Sequence, residues 1–174
     1  MSSSNHTYAL PDEAATLALG AALAAVLRPG LTIYLHGELG AGKTTLTRGL
    51  LRALGHTGPV RSPTYALVEL YVISGYILYH FDFYRFNQPE EWLEAGLDEH
   101  FNQDTVCLVE WPEKAGDLLP PADMDAVIEV AGLENGPADG AIDKQARRIT
   151  LNAHSERGTS CLNDLRFPRP TQAP

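Results

Sequence analysis

The stretch Gly37-Glu38-Leu39-Gly40-Ala41-Gly42-Lys43-Thr44 follows the pattern G-x-x-x-x-G-K-[ST], and its flanks leave the chain few folds to adopt. Before it stands the apolar run Leu31-Thr32-Ile33-Tyr34-Leu35-His36, which reads as a buried strand. After it, Lys43 to Leu54 reads as a helix, with Leu46, Leu50 and Leu54 recurring four apart as an inward stripe. Strand, glycine loop and helix in that order predict an α/β fold of the P-loop NTPase type. We expect a single domain over residues 1–166, with a central, mostly parallel sheet, an added antiparallel hairpin and flanking helices.

The loop carries its own chemistry. Gly37, Gly40 and Gly42 let the backbone curl and turn its N–H groups inward. Those groups, with the positive end of the following helix, suit the phosphates of a nucleotide. Lys43 can reach the outer phosphates as a point charge, and Thr44 offers a hydroxyl to a magnesium ion.

The 174 residues fit one domain, and a composition of 44% hydrophobic and 20% charged residues is ordinary for a globular chain. No apolar stretch approaches the ~18 residues of a membrane span, and Met1 to Thr7 lacks the regions of a signal peptide, so a cytoplasmic protein is expected. Cys107 and Cys161 make no disulfide framework and have no metal-ligand spacing. The net charge of −9 argues against binding nucleic acid unaided, since phosphate contacts dominate such affinity, but permits docking on a basic protein surface.

Along the chain, Asp12 can cap a helix that runs to about Leu27 and stops at Arg28-Pro29-Gly30. The alternating stretch Tyr65 to Val72, the Ser74-Gly75 turn and the returning run Tyr76 to Phe81 predict a hairpin. An acidic helix is expected from Glu90 to about His100, with Trp92 on it as one candidate partner contact. Thr105 to Val109 fits a buried parallel strand. Two more strand-like runs, Ala126 to Val130 and Arg148 to Leu151, flank the Gly/Asp/Asn-rich loop Gly132 to Lys144. Residues 167–174, with three prolines, read as a disordered tail.

A phosphate loop does not hydrolyse a nucleotide unaided; it needs a carboxylate near the metal and a group to position water. In open α/β sheets such groups stand at the carboxyl ends of strands. Glu110 directly follows Val106 to Val109, and Asp82 directly follows Tyr76 to Phe81. Glu110 could bind the metal directly, bind it through water or act as the base. Ser62-Pro63-Thr64 fits either a sensor of the terminal phosphate or a plain turn before a strand. His36, His80 and His100 are scattered and read as structural or surface residues.

Together these pieces resemble the TsaE family, also called YjeE, of small bacterial ATPases. The likeness runs through Gly37 to Thr45, Ser62-Pro63-Thr64-Tyr65, Tyr79-His80-Phe81-Asp82-Phe83-Tyr84-Arg85 and Leu108-Val109-Glu110-Trp111-Pro112, in the family's order. The last two pieces make it specific, because many nucleotide-binding proteins share the loop. The resemblance implies ATP and Mg2+ as ligands. It implies TsaD and TsaB as partners, which install threonylcarbamoyl on the adenosine beside the anticodon of certain tRNAs, so that tRNA is met only through the complex.

By resemblance, Gly37, Leu39, Gly40, Ala41, Gly42, Lys43, Thr44 and Thr45 hold the nucleotide, Thr44 and Glu110 take the metal, and Asp82 serves hydrolysis with Lys43 and Glu110. Trp111 resembles a tryptophan near the nucleotide, with a core aromatic as the rival reading. Arg147 matches an arginine against the nucleotide, with Arg148 its rival, and Tyr8 would line the adenine side. A small-molecule kinase remains an alternative, as does a nucleotide-gated binding module with little turnover; no Asn-Lys-x-Asp segment supports a GTPase.

Overall fold

The apolar run before the loop forms a strand, β2 (Thr32–His36), at the middle of a seven-stranded sheet. The computed structural model describes residues 4–131 and 146–168. On one side of β2 lie β5 (Thr105–Glu110), β4 (Tyr76–Asp82) and the edge strand β3 (Val68–Ile73). On the other lie β6 (Met124–Val130), β7 (Arg147–Ala153) and β1 (Asn5–Leu10). The centre is parallel, through the β2–β5, β2–β6 and β4–β5 pairs, and both margins are antiparallel. The expected hairpin is thus one margin of the sheet, while β7 and β1 form a second that was not anticipated.

Two helices cover one face. The first, α1 (Glu13–Ala24), begins at Asp12, whose carboxylate accepts from the backbone N–H of Ala15 at 2.8 Å. The second, α2 (Lys43–Ala53), buries Leu46 and Leu50 as its four-residue spacing predicts. The pair cross closely because glycines stand at the contact. A Cβ on Gly20 would lie 2.2 Å from the carbonyl oxygen of Leu46, and one on Gly49 would lie 2.2 Å from that of Leu17. A third helix, α4 (Glu156–Asp164), adds Cys161 and Leu162 to this core. Cys107 and Cys161 are buried free thiols.

The opposite face is covered over its β2, β5 and β4 part by an aromatic cluster that includes Phe81, Phe83, Phe86 and Trp92. The acidic helix expected from Glu90 to His100 is two short pieces, α3 (Glu91–Glu94) and a 3-10 turn at Leu97–His100. Gly96 separates them with a φ of 68°, which an α-helix does not allow. Trp92 points into the core, so it offers no surface to a partner.

The hairpin turns at Ser74 and Gly75, whose φ angles of 50° and 81° match the strand twist. Its first strand starts at Val68 rather than Tyr65, because Leu67 turns back to bond the carbonyl of Pro63. Phe167, expected in the tail, packs edge-on against Tyr8 with centroids 5.4 Å apart. The Gly132 to Lys144 loop and residues 169–174 lie outside the described residues. No helix among the described residues is long and apolar enough to cross a membrane.

Candidate functional site

The site lies where β2, β4 and β5 end. Gly42 precedes α2 in a left-handed conformation, φ 110°, that a side chain would resist, and no side chain caps the helix. The first backbone N–H groups of α2 are therefore left to an external acceptor, the arrangement that suits an anion.

Lys43 is nearly buried. Its ammonium donates to the carbonyls of Gly37 and Glu38, the latter at 3.0 Å, and sits 4.1 Å from the centre of the Trp111 ring. Burial pushes its pKa down, while the carboxylates of Glu110, Glu113, Asp82 and Glu38 pull it back toward the charged form. These contacts hold the charge over the loop without an acid directly bonded to it.

Parallel pairing of β4 with β5 sets Asp82 directly beside Glu110. Both are the last residues of their strands, and each is only 2% exposed. Glu110 accepts the Thr44 hydroxyl at 2.7 Å on its Oε1 atom. The same oxygen accepts Nε2 of His80, which is wholly buried, at 2.9 Å. Asp82 is held differently. Its Oδ2 accepts the hydroxyls of Ser62 and of Thr64, the second at 3.1 Å, and its Oδ1 accepts the N–H of Tyr84 at 2.9 Å. The Ser62-Pro63-Thr64 turn is thereby tied to the tip of β4.

A hydroxyl that donates its hydrogen to Glu110 keeps both lone pairs for a cation. Magnesium takes one or two carboxylates and fills its remaining positions with phosphate and water. Thr44 and Glu110 fit such an ion. Among the described residues no group of three His, Cys, Asp or Glu side chains could hold a metal by itself.

One cleft is lined by Leu39, Gly40, Ala41, Gly42, Lys43, Thr44 and Thr45, and on its far wall by Ser62, Thr64, Asp82, Tyr84, Glu110 and Trp111. Trp111 has a φ of 58°, a conformation bulky residues rarely take, and that turn helps bring its ring over Lys43. A second cleft opens on the other side of the loop, between Glu13, Thr16, Gly40 to Gly42, Thr45 and Arg147. Arg147 grips the loop from behind, its Nε donating to the carbonyl of Ala41 at 2.9 Å and its Nη2 to that of Gly40 at 3.2 Å.

The structure thus brings Lys43, Thr44, Asp82, Glu110 and Trp111 to one cleft and Arg147 to its neighbour. Arg148 points to Glu129, 3.5 Å away, on the far side of β7. Tyr8 departs from expectation. Alternation along β1 turns it into the core beneath α1, where it is fully buried and lines neither cleft. His80 was missed. Its place two residues before Asp82 on an alternating strand was the available signal, since both then face the same side.

Comparison with known proteins agrees with this architecture. The family profile described as "Threonylcarbamoyl adenosine biosynthesis protein TsaE" matches residues 10–136. A tRNA threonylcarbamoyladenosine biosynthesis protein TsaE from Haemophilus influenzae is 49% identical over 123 residues, 68% of this chain and 78% of that one. The protein of the same name from Bacillus subtilis is 42% identical over 122 residues, 70% of this chain and 75% of that one. The crystal structure of Bacillus subtilis YdiB superposes with a TM-score of 0.76 at 31% identity, over 95% of this chain and 96% of that one.

Proposed function

This chain belongs to the TsaE family of threonylcarbamoyl adenosine biosynthesis proteins, and on that premise we propose that it binds and hydrolyses ATP for the tRNA threonylcarbamoyladenosine machinery, acting on a complex of TsaD and TsaB. The observation that carries the proposal is the Glu110 carboxylate bonded to the Thr44 hydroxyl beneath the loop, with Asp82 on the adjoining strand tip. The loop N–H groups and Lys43 hold the phosphates, and Lys43 meets the charge that gathers on the transferred group. Thr44, and Glu110 directly or through water, would hold a magnesium ion, which would supply positive charge against the phosphates. Asp82, on the wall of the same cleft, would orient the attacking water. Arg147 and the second cleft suit the ribose and base.

The role in tRNA modification follows the family, and the net charge of −9 supports leaving the tRNA to the partners. One observation favours a second reading, a nucleotide-gated binding module with little turnover. Asp82 already accepts from Ser62, Thr64 and Tyr84, so most of its about four lone-pair sites are engaged.

Phosphate release, measured with and without TsaD and TsaB, tests the proposal. Weak activity alone that rises with the partners is the expected result. Phosphoryl transfer to a small acceptor, indifferent to the partners, would instead make the chain a kinase. Nucleotide-dependent binding to the partners without phosphate release would make it a gated module.

A further inference from the structure

His80 is a wholly buried imidazole that the reading above leaves without a role. Its Nε2 lies 2.9 Å from Oε1 of Glu110, and its Nδ1 is one of three buried side-chain atoms among the described residues with no hydrogen-bond partner. A buried polar ring with one nitrogen unmatched costs stability, so packing alone is a poor reason for histidine here. The bond it does make is specific. A carboxylate only accepts, so Nε2 must carry a hydrogen whichever charge the ring bears.

Two donors therefore converge on one oxygen of Glu110: Thr44 from α2 and His80 from β4. No hydrogen bond to Oε2 is made among the described residues. With Oε1 fixed from two elements, the carboxylate plane has little freedom to turn, and Oε2 is the oxygen left over. We propose that His80 is a positioning residue, which pins Oε1 of Glu110 through its Nε2–H and so keeps Oε2 available to the metal ion or its bound water. This rests on the reading of Glu110 as a metal-holding acid. Groups that orient a metal's carboxylate in this way are typically worth about 10–100-fold in metal affinity or activity.

Two measurements on the full chain test it. In the nucleotide-free protein labelled with 15N-histidine, the Nε2–H of His80 should give a hydrogen-bonded proton signal that shifts or vanishes in Glu110→Ala. An unchanged signal there would overturn the proposal. ATP binding is then titrated by calorimetry at increasing magnesium. His80→Phe keeps the ring volume but has no donor; it should bind ATP without magnesium within about twofold of the wild type. The magnesium needed for half its effect should rise by about 10–100-fold. His80→Gln returns an N–H donor and should restore the magnesium response to within about threefold. Wild-type magnesium dependence in His80→Phe sinks the idea, and so does equal loss in the Gln and Phe variants, which would mean the ring acts by packing. Should the Phe variant not fold, the Gln variant and the proton signal still decide. A wild-type chain whose ATP binding ignores magnesium would defeat the hydrolase reading instead, and the proton signal would still report on the His80–Glu110 bond.

Discussion

Two histidine–carboxylate clusters stand on opposite faces of the same sheet. Under the helices, Glu110 meets His80 at 2.9 Å with both side chains almost completely buried. On the other face, Asp125 meets His36 at 3.2 Å and His154 at 2.8 Å, and all three remain partly open to water. The chemistry of the partners is the same, but the surroundings are not. Burying a charged carboxylate costs several kcal/mol, on the order of 5, which only good partners offset, whereas a hydrated pair costs little and contributes only about 0–1 kcal/mol. A buried cluster that evolution could have replaced with leucine calls for a task beyond stability, and the proposed hold on magnesium beside the phosphate loop would give Glu110 one. Asp125 needs none.

The contrast can be broken in several places. The largest effect is expected at Lys43, the buried cation of the loop. Lys43→Ala should weaken ATP binding at least about 100-fold, the scale of a lost charge-assisted contact, as read by calorimetry. Next, Glu110→Ala should lower ATP turnover about 10–100-fold while ATP still binds. Asp125→Ala should leave turnover within about twofold of the wild type. Equal losses from the two acids, or a wild-type rate in Glu110→Ala, would erase the distinction.

The helix-covered face should also tolerate added atoms worst. Gly49→Ala would put a methyl 2.2 Å from the carbonyl oxygen of Leu17, and a denaturant melt should record a loss of about 1–3 kcal/mol. The smallest effect belongs to Asp125. Burial alone would raise its pKa, but hydrogen bonds from His36 and His154 outweigh that and leave it below the ordinary 3.8. A group lowered in the folded state adds stability above its unfolded pKa, and that stability fades as pH falls through the folded value. The stability gap between wild type and Asp125→Asn should therefore be present above the ordinary carboxylate pKa and close as pH falls through the lowered folded value.

Much of this was readable before the fold was seen, where local rules suffice. The loop carries its chemistry in eight consecutive residues, and the leucine spacing of α2 and the cap at Asp12 follow from helix geometry. Asp82 and Glu110 were found because strand tips are predictable from where apolar runs stop. Local rules failed where distant segments decide. β1 was missed because Asn5 to Leu10 holds its strand form by pairing with β7, some 140 residues on. Tyr8 was assigned to the adenine side, yet its strand parity sends it inward. The helix across Glu90 to His100 was too long because a single glycine, Gly96, interrupts it.

Residue order alone settled that a strand, a glycine turn and a helix come in sequence, that a lysine and a threonine open the helix, and that two acids close two other strands. Such features depend on neighbours a few positions apart, and short-range sterics and hydrogen bonding govern those. Which acid meets Thr44 was decided only when β5 took its place between β2 and β4, setting Glu110 under α2 and against His80. Strand order is a global choice. It comes from how the helices bury their apolar faces on the sheet, and no short window of sequence carries that information.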